Sequence, residues 1–293
     1  MGDQLVTKRL VPYILLIPAI IVFAVLTFQP IIYGTYISLN KWNWREGGFN
    51  SIKFIGLQNY SATLGDIEFW NDLVHTFYFA AGAVAIEFFL GFGMAILLSQ
   101  QIRGGAFFRS IFIFPLMISD IVASLMWKVM YDPTLGIINY MLSLLYLPTP
   151  AWLSDPLTVI PSIIFIDCWW QTGNITLILL AGLLSMPKTP FEAAVVDGAS
   201  KLQTFRYVTV PIMKPVIIVA LIFRTIDCLR VFAIVFGTSF GGPAHMSEVM
   251  QLFIYLVGIG RFLEMGHSAA IAILFSLIIV AIVLVYRRMG VRI

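Results

Sequence analysis

Runs of about twenty apolar residues recur along the chain, and nothing else constrains its fold so tightly. A bilayer core about 30 Å thick is crossed by a helix of about 20 apolar residues. Six runs meet that length, at roughly residues 11–33, 74–98, 110–131, 158–184, 215–236 and 266–286. Composition agrees: 60% of the 293 residues are hydrophobic and 11% are charged, where a soluble domain carries about 25% charged residues. Mean hydropathy is +0.93. Length alone would suggest two water-soluble domains, but this surface could not stay in water. A disulfide scaffold is excluded as well, because the two cysteines, Cys168 and Cys228, both sit inside apolar runs. The expected fold class is all-α: a polytopic membrane protein with six transmembrane helices forming one transmembrane domain over residues 1–293.

Charge placement sets the expected orientation. Of 18 Lys and Arg residues, eleven fall in one alternating set of segments: Lys8, Arg9, Arg103, Arg109, Lys188, Lys201, Arg206, Lys214, Arg287, Arg288 and Arg292. The opposite set holds five, namely Lys41, Arg45, Lys53, Lys128 and Arg261, while Arg224 and Arg230 lie inside the fifth run. Positive charge collects on the cytoplasmic side, so both termini are expected there, and an even number of spans agrees. The first run follows Lys8 and Arg9 as a secretory signal would. It is too long for a signal h-region and lacks a small-x-small cleavage site, so it reads as an uncleaved span. The long outside connection, about residues 34–73, carries Trp42 and Trp44, which read as interfacial rings.

The connection between the fourth and fifth runs, residues 187–211, is the most organised segment. Thr189 is placed as an N-cap, with Pro190 at the first helical position and Glu192 at N3, a capping box. Asp197-Gly198 ends that helix, since glycine accepts the left-handed turn a helix C-terminus needs. Ser200 and Gln203 form a second capping box, and the next helix runs on Leu202, Phe205 and Val208 until Pro211 breaks it. The apolar side, Phe191, Val195, Leu202 and Phe205, is larger than a solvated connector needs. It suits either a docking surface or an amphipathic element resting on the leaflet.

Glu192-Ala193-Ala194, Asp197-Gly198-Ala199 and Val208-x-Val210-Pro211 resemble the EAA loop of ABC-importer permeases. Gly198 lies four residues after Ala194, nine residues separate it from Val208, and Val210 replaces the usual leucine. The Phe54–Tyr60 stretch, the six-span layout and Gly241-Gly242-Pro243 are similar to the sugar branch of that family, the maltose/trehalose-like, binding-protein-dependent type. The resemblance implies a type I importer permease in a bacterial or archaeal cytoplasmic (inner) membrane. By the same resemblance, Glu192, Ala193 and Ala194 pack in a cleft of a separate ATPase subunit, Gly198 makes the turn beside Asp197 and Ala199, and Pro211 closes the loop. The implied partners are a second homologous permease subunit, two ABC ATPase subunits that bind ATP and Mg, and an extracytoplasmic solute-binding protein. The solute is expected to be a di- or oligosaccharide. No cofactor is expected in this chain.

Several chemistries lack their residues. There is no G-x-x-x-x-G-K-[ST] phosphate loop, no H-E-x-x-H and no G-x-S-x-G. The chain is therefore read as a transport subunit and not an enzyme, with no metal site. His75, His245 and His267 read as isolated interfacial side chains.

Ionisable residues at membrane depth mark bundle interiors or wet cavities. Arg224, Asp227 and Arg230 follow one another at i,i+3 steps, which lets two guanidinium groups bracket Asp227. At about 1.5 Å per residue they lie roughly 14–23 Å beyond Pro215. They suit either a solute path or a self-neutralised brace. Phe223-Arg224-Thr225-Ile226-Asp227 with Arg230-Val231-Phe232 also resembles the fifth span of disaccharide permeases, trehalose-type ones included. In the fourth run Asp167, Trp169, Trp170, Gln171 and Asn174 form a polar, aromatic group suited to sugar hydroxyls and ring faces, or to helix packing. Glu87 and Asp120 are lone acids: Glu87 suits a helix contact and Asp120 the cavity. The rival functions are a gradient-driven carrier using Glu87, Asp120 and Asp167 as a relay, and a membrane scaffold that recruits a partner through the loop.

Overall fold

The computed structural model describes residues 2–100 and 104–290, with side chains described from residue 15 onward except at 106, 289 and 290. Arg103 and Arg292 of the charge census lie outside the described residues, as do the side chains of Lys8 and Arg9. The chain is mainly helical and divides into two compact units.

One unit comprises residues 1–66 and 254–275. It contains α1 (Gly2–Ser38), a two-residue antiparallel pair β1 (Asn40–Lys41) and β2 (Lys53–Phe54), and α2 (Gln58–Gly65). It also holds a π-helical turn, Leu256–Gly260, and the first residues of α13 (Met265–Gly290). Asn43 bridges Glu264, and the Asn59 amide donates to the carbonyls of Ser38 and Asn40. Trp42 is not an interfacial ring: it is 8% exposed and packs on Phe49 and Trp44.

The other unit, residues 67–253 and 276–293, contains α3 (Ile67–Ser99), α4 (Gly105–Ile113), α5 (Asp120–Met130), α6 (Ile137–Leu144) and α7 (Val159–Leu184). It continues with α8 (Thr189–Val196), α9 (Lys201–Thr204), α10 (Val210–Leu229), α11 (Ala233–Gly237) and most of α12 (Met250–Tyr255). Its core is built where α3, α7 and α10 meet, on Phe92, Ala95, Leu98, Ile175, Leu179, Met213 and Ala220. A Cβ added at Gly91 would lie 2.5 Å from Ile175 Cγ2. The glycine therefore lets α3 and α7 approach closely, as small residues do between membrane helices. Past α5, the N–H groups of Leu135 and Thr134 donate to Asp132 and hold its carboxyl below the ordinary range.

Four helices are long and apolar enough to cross a bilayer: residues 15–38, 67–99, 159–184 and 265–288. The six expected runs need two corrections. The run at 110–131 is not one helix, because Phe107–Met117 and Asp120–Met130 meet at 95°. Pro115 sits in a 3-10 turn there, Ile118 is extended, and Asp120 restarts the helix by accepting the Ile121 N–H. The run at 215–236 is also interrupted: α10 ends at Leu229 and α11 starts at Ala233. An apolar helix over residues 250–260 was not among the expected runs.

Within the 187–211 loop the second capping box forms as expected. Gln203 N–H donates to Ser200 Oγ at 3.3 Å, and Ser200 N–H donates to Gln203 Oε1 at 2.7 Å. The first box does not form. Thr189 is already helical, Lys188 occupies the cap position, and no side chain caps it. Pro211 does not break the second helix either. A π turn over Phe205–Thr209 absorbs an extra residue, and the chain enters α10 with Pro211 in its first turn, where a missing N–H costs nothing. Ser200→Ala should cost about 1 kcal/mol of local helix stability, read as faster amide exchange at Gln203 and Thr204.

Candidate functional site: a polar cavity at two helix breaks

The site starts from one buried arginine. Arg224 on α10 is 5% exposed, and its guanidinium reaches across to two other helices. Its Nε and Nη2 donate to the Glu87 carboxylate on α3, with Nη2 to Oε1 at 2.8 Å, and Nη2 also donates to Asp167 Oδ2 on α7. Glu87 is fully buried. A guanidinium is suited to this because its planar fork donates several hydrogen bonds at fixed angles. The expected bracketing of Asp227 by two arginines is therefore wrong. Arg224 turns to Glu87 and Asp167, and Asp227 and Arg230 form no ion pair among the described residues. Glu87 is not a lone acid.

Beside this triad opens a cavity of about 500 Å³. Asp120, Asp167, Trp170, Gln171, Arg224, Asp227 and Arg230 line it, together with Val231–Ile234 between α10 and α11 and Gln251 of α12. Both helix breaks supply it. Asp120 stands at the first turn of α5, after the bend, and the Trp170 indole N–H donates to the carbonyl of Ile118 within the bend at 3.0 Å. At the other break, the backbone from Arg230 to Phe232 leaves helical geometry, with Phe232 at φ −139°, ψ −64°. Irregular backbone at membrane depth is tolerated where it lines a cavity. The wall thus offers carboxylate acceptors, guanidinium and amide donors, and one indole, a set suited to a hydroxyl-rich solute.

Trp169 and Asn174 do not line this cavity. Trp169 faces the apolar side of α7, with its ring 5.5 Å from Trp127, and Asn174 donates to Gln171 at 3.4 Å. Sequence reasoning missed Gln251, although a lone amide between Met250 and Leu252 in an otherwise apolar stretch was a visible sign. The histidines are not isolated: His75 lies 3.8 Å from Asp72, His245 2.6 Å from Glu248 and His267 3.4 Å from Glu264. Among the described residues, no group of three or more His, Cys, Asp and Glu is placed to hold a metal.

The 187–211 loop is a second candidate surface. Ala199 N–H donates to Ala194 O at 2.9 Å and Gly198 N–H to Val195 O at 3.1 Å, with Gly198 at φ +73°. That is a Schellman turn around glycine. Glu192, Ala193 and Asp197 are exposed and Ala199 is half-buried, whereas Ala194 is buried against its own chain and does not face outward. Val195, Val196 and Leu202 project from the surface at 74%, 86% and 74% exposure. Phe205 turns inward onto Phe92 at 5.7 Å and Phe191 is half-buried, so the exposed apolar face differs from the expected one in those two residues.

Residues 87–293 match the family described as "Binding-protein-dependent transport system inner membrane component". The trehalose/maltose transport system permease protein MalF of Thermococcus litoralis is 34% identical over 280 residues, 95% of this chain and 92% of that protein. The trehalose transport system permease protein SugA of Mycobacterium tuberculosis is 33% identical over 286 residues, 94% of this chain and 90% of that protein. A chain of a bacterial alginate ABC transporter, solved with an alginate pentasaccharide-bound periplasmic protein, superimposes with a TM-score of 0.82 at 22% identity. The match covers 98% of this chain and 99% of that one.

Proposed function

Because the chain belongs to the family of inner-membrane components of binding-protein-dependent transport systems, we propose that its cavity is one half of the path of an ATP-driven sugar importer. The chain is the permease subunit. A second homologous permease completes the path, an extracytoplasmic binding protein delivers the solute, and two ATPase subunits supply Mg-ATP hydrolysis through the 187–211 loop. Both termini lie in the cytoplasm in this reading, on the side of that loop. The solute is a di- or oligosaccharide of the trehalose or maltose kind.

The observation that carries this reading is the cavity itself. It gathers Asp120, Asp167, Trp170, Gln171, Arg224, Asp227 and Arg230 from three helices at two helix breaks. Discontinuous helices leave backbone dipoles and carbonyls available to a solute at membrane depth. A gradient-driven carrier fits less well, because Glu87 and Asp167 are both held by Arg224 and would not trade protons freely.

The test uses the full transporter in proteoliposomes with its binding protein. Asp227→Asn and Arg230→Gln alter only the cavity wall and leave the buried triad intact. Each is expected to lower trehalose or maltose uptake by about tenfold or more, the worth of one hydrogen bond to a charged group. Basal ATP hydrolysis should remain. Wild-type uptake by both variants would remove the cavity from the path.

A further inference from the structure

A second, smaller cavity lies wholly within the unit formed by residues 1–66 and 254–275, and no part of the transport reading uses it. Its volume is about 250 Å³. Trp42, Gln58, Asn59, Glu264 and His267 line it, with Ile55 as an apolar wall. Two of these residues carry a buried polar atom that no described residue satisfies: Trp42 Nε1 and His267 Nε2. Buried polar atoms are nearly always hydrogen-bonded, and each one left alone costs about 1–3 kcal/mol. Two on the wall of one cavity need a common explanation.

The chemistry of the pair restricts the occupant. Indole Nε1–H only donates. His267 Nδ1 faces Glu264 Oε2 at 3.4 Å, which places the proton on Nδ1 and leaves Nε2 as an acceptor in the neutral ring. An occupant must therefore accept from Trp42 and donate to His267. Net charge is disfavoured on either side, since Glu264 and Lys41 both line the cavity and would repel an anion and a cation respectively. A hydroxyl both accepts and donates without charge. The Gln58 amide, unbonded among the described residues, offers further partners, while Ile55 and the Trp42 ring suit C–H faces.

We propose that this cavity binds a single neutral sugar ring, through hydroxyls that accept from Trp42 Nε1–H and donate to His267 Nε2. It is half the volume of the transport cavity and suits one ring and not two. The ring comes either from a free monosaccharide or from the end of a longer saccharide. The site is independent of the transport cavity, so either assignment can fail alone.

The experiment takes the assembled transporter in nanodiscs, labelled on tryptophan indole nitrogen, with the Trp42 resonance assigned by Trp42→Phe. That variant removes the N–H while keeping an aromatic ring against Phe49. Titration with glucose should move the Trp42 Nε1–H signal saturably at millimolar concentration. Trehalose moves it equally if an end ring enters, and not at all if only free monosaccharide is taken. His267→Leu should weaken the response by about tenfold. Gln58→Ala, a change at an exposed position, should weaken it without disturbing the fold. Asp227→Asn, which alters the transport cavity alone, should leave it unchanged. A Trp42 signal that stays fixed in both sugars would show a site filled by water alone and overturn the proposal. Loss of the response in Asp227→Asn would overturn its independence.

Discussion

Arg224→Ala is expected to destabilise the protein by about 3–5 kcal/mol, the cost of leaving a buried partner charge uncompensated. It is also expected to abolish uptake. The alanine would leave Glu87, fully buried, and Asp167, 3% exposed, facing each other without the guanidinium that holds both. Water cannot easily take its place, because the triad sits where α3, α7 and α10 pack. Thermal unfolding of the purified transporter reads the first effect. A companion separates bracing from transport. Glu87→Leu, Asp167→Leu and Arg224→Met together remove every charge of the triad, and apolar replacement of a whole buried ion network is often neutral or stabilising. The triple variant should recover most of the lost thermal stability and none of the uptake. Arg224→Ala with wild-type unfolding temperature would show that the triad does not tie these helices together.

The triad also marks the limit of what could be read from the residues in order. Spacing correctly brought Arg224, Asp227 and Arg230 to one region, and the cavity contains all three. Spacing then suggested the wrong partner. Periodicity reports neighbours on the same helix, whereas Arg224 bonds to residues 137 and 57 positions away in the chain. Those contacts depend on how helices pack, which a single sequence does not encode locally. The two helix breaks escaped for a related reason. Hydropathy stays high through Pro115–Ser119 and through Val231–Phe232, so a window of spanning length averages over the backbone turn that makes the cavity. Asp120 and Arg230 were the residues that gave the breaks away, as charges placed where an unbroken apolar span has no use for them. Local motifs were more legible. The Ser200–Gln203 box and the left-handed Gly198 depend on atoms within a few residues, and both form as read. Thr189 failed as a cap because helical geometry already includes it, a one-residue shift that propensity does not resolve.

Gly198→Pro is expected to drop solute-stimulated ATP hydrolysis to the basal rate and uptake to background, while the permease still inserts and assembles. Gly198 stands at φ +73°, and proline is fixed near −65°. The substitution also deletes the N–H that donates to Val195 O and forces Asp197 toward extended geometry, which undoes the turn that sets α8 against α9. Strain of this kind costs roughly 1–3 kcal/mol, enough to reshape an exposed loop without unfolding a helical bundle. Sterics are not the cause, since nothing lies within 4 Å of a Cβ built at this position. That isolates backbone conformation as the variable. Gly198→Asn, which accepts the left-handed region, should therefore keep most of the coupling, and Gly198→Ala should fall between the two. If asparagine and proline prove equally damaging, the loop works through something other than its turn. If both transport normally, the exposed face of Val195, Val196 and Leu202 is not where the ATPase takes hold, because that face keeps its shape only while Gly198 holds the two helices at their observed angle.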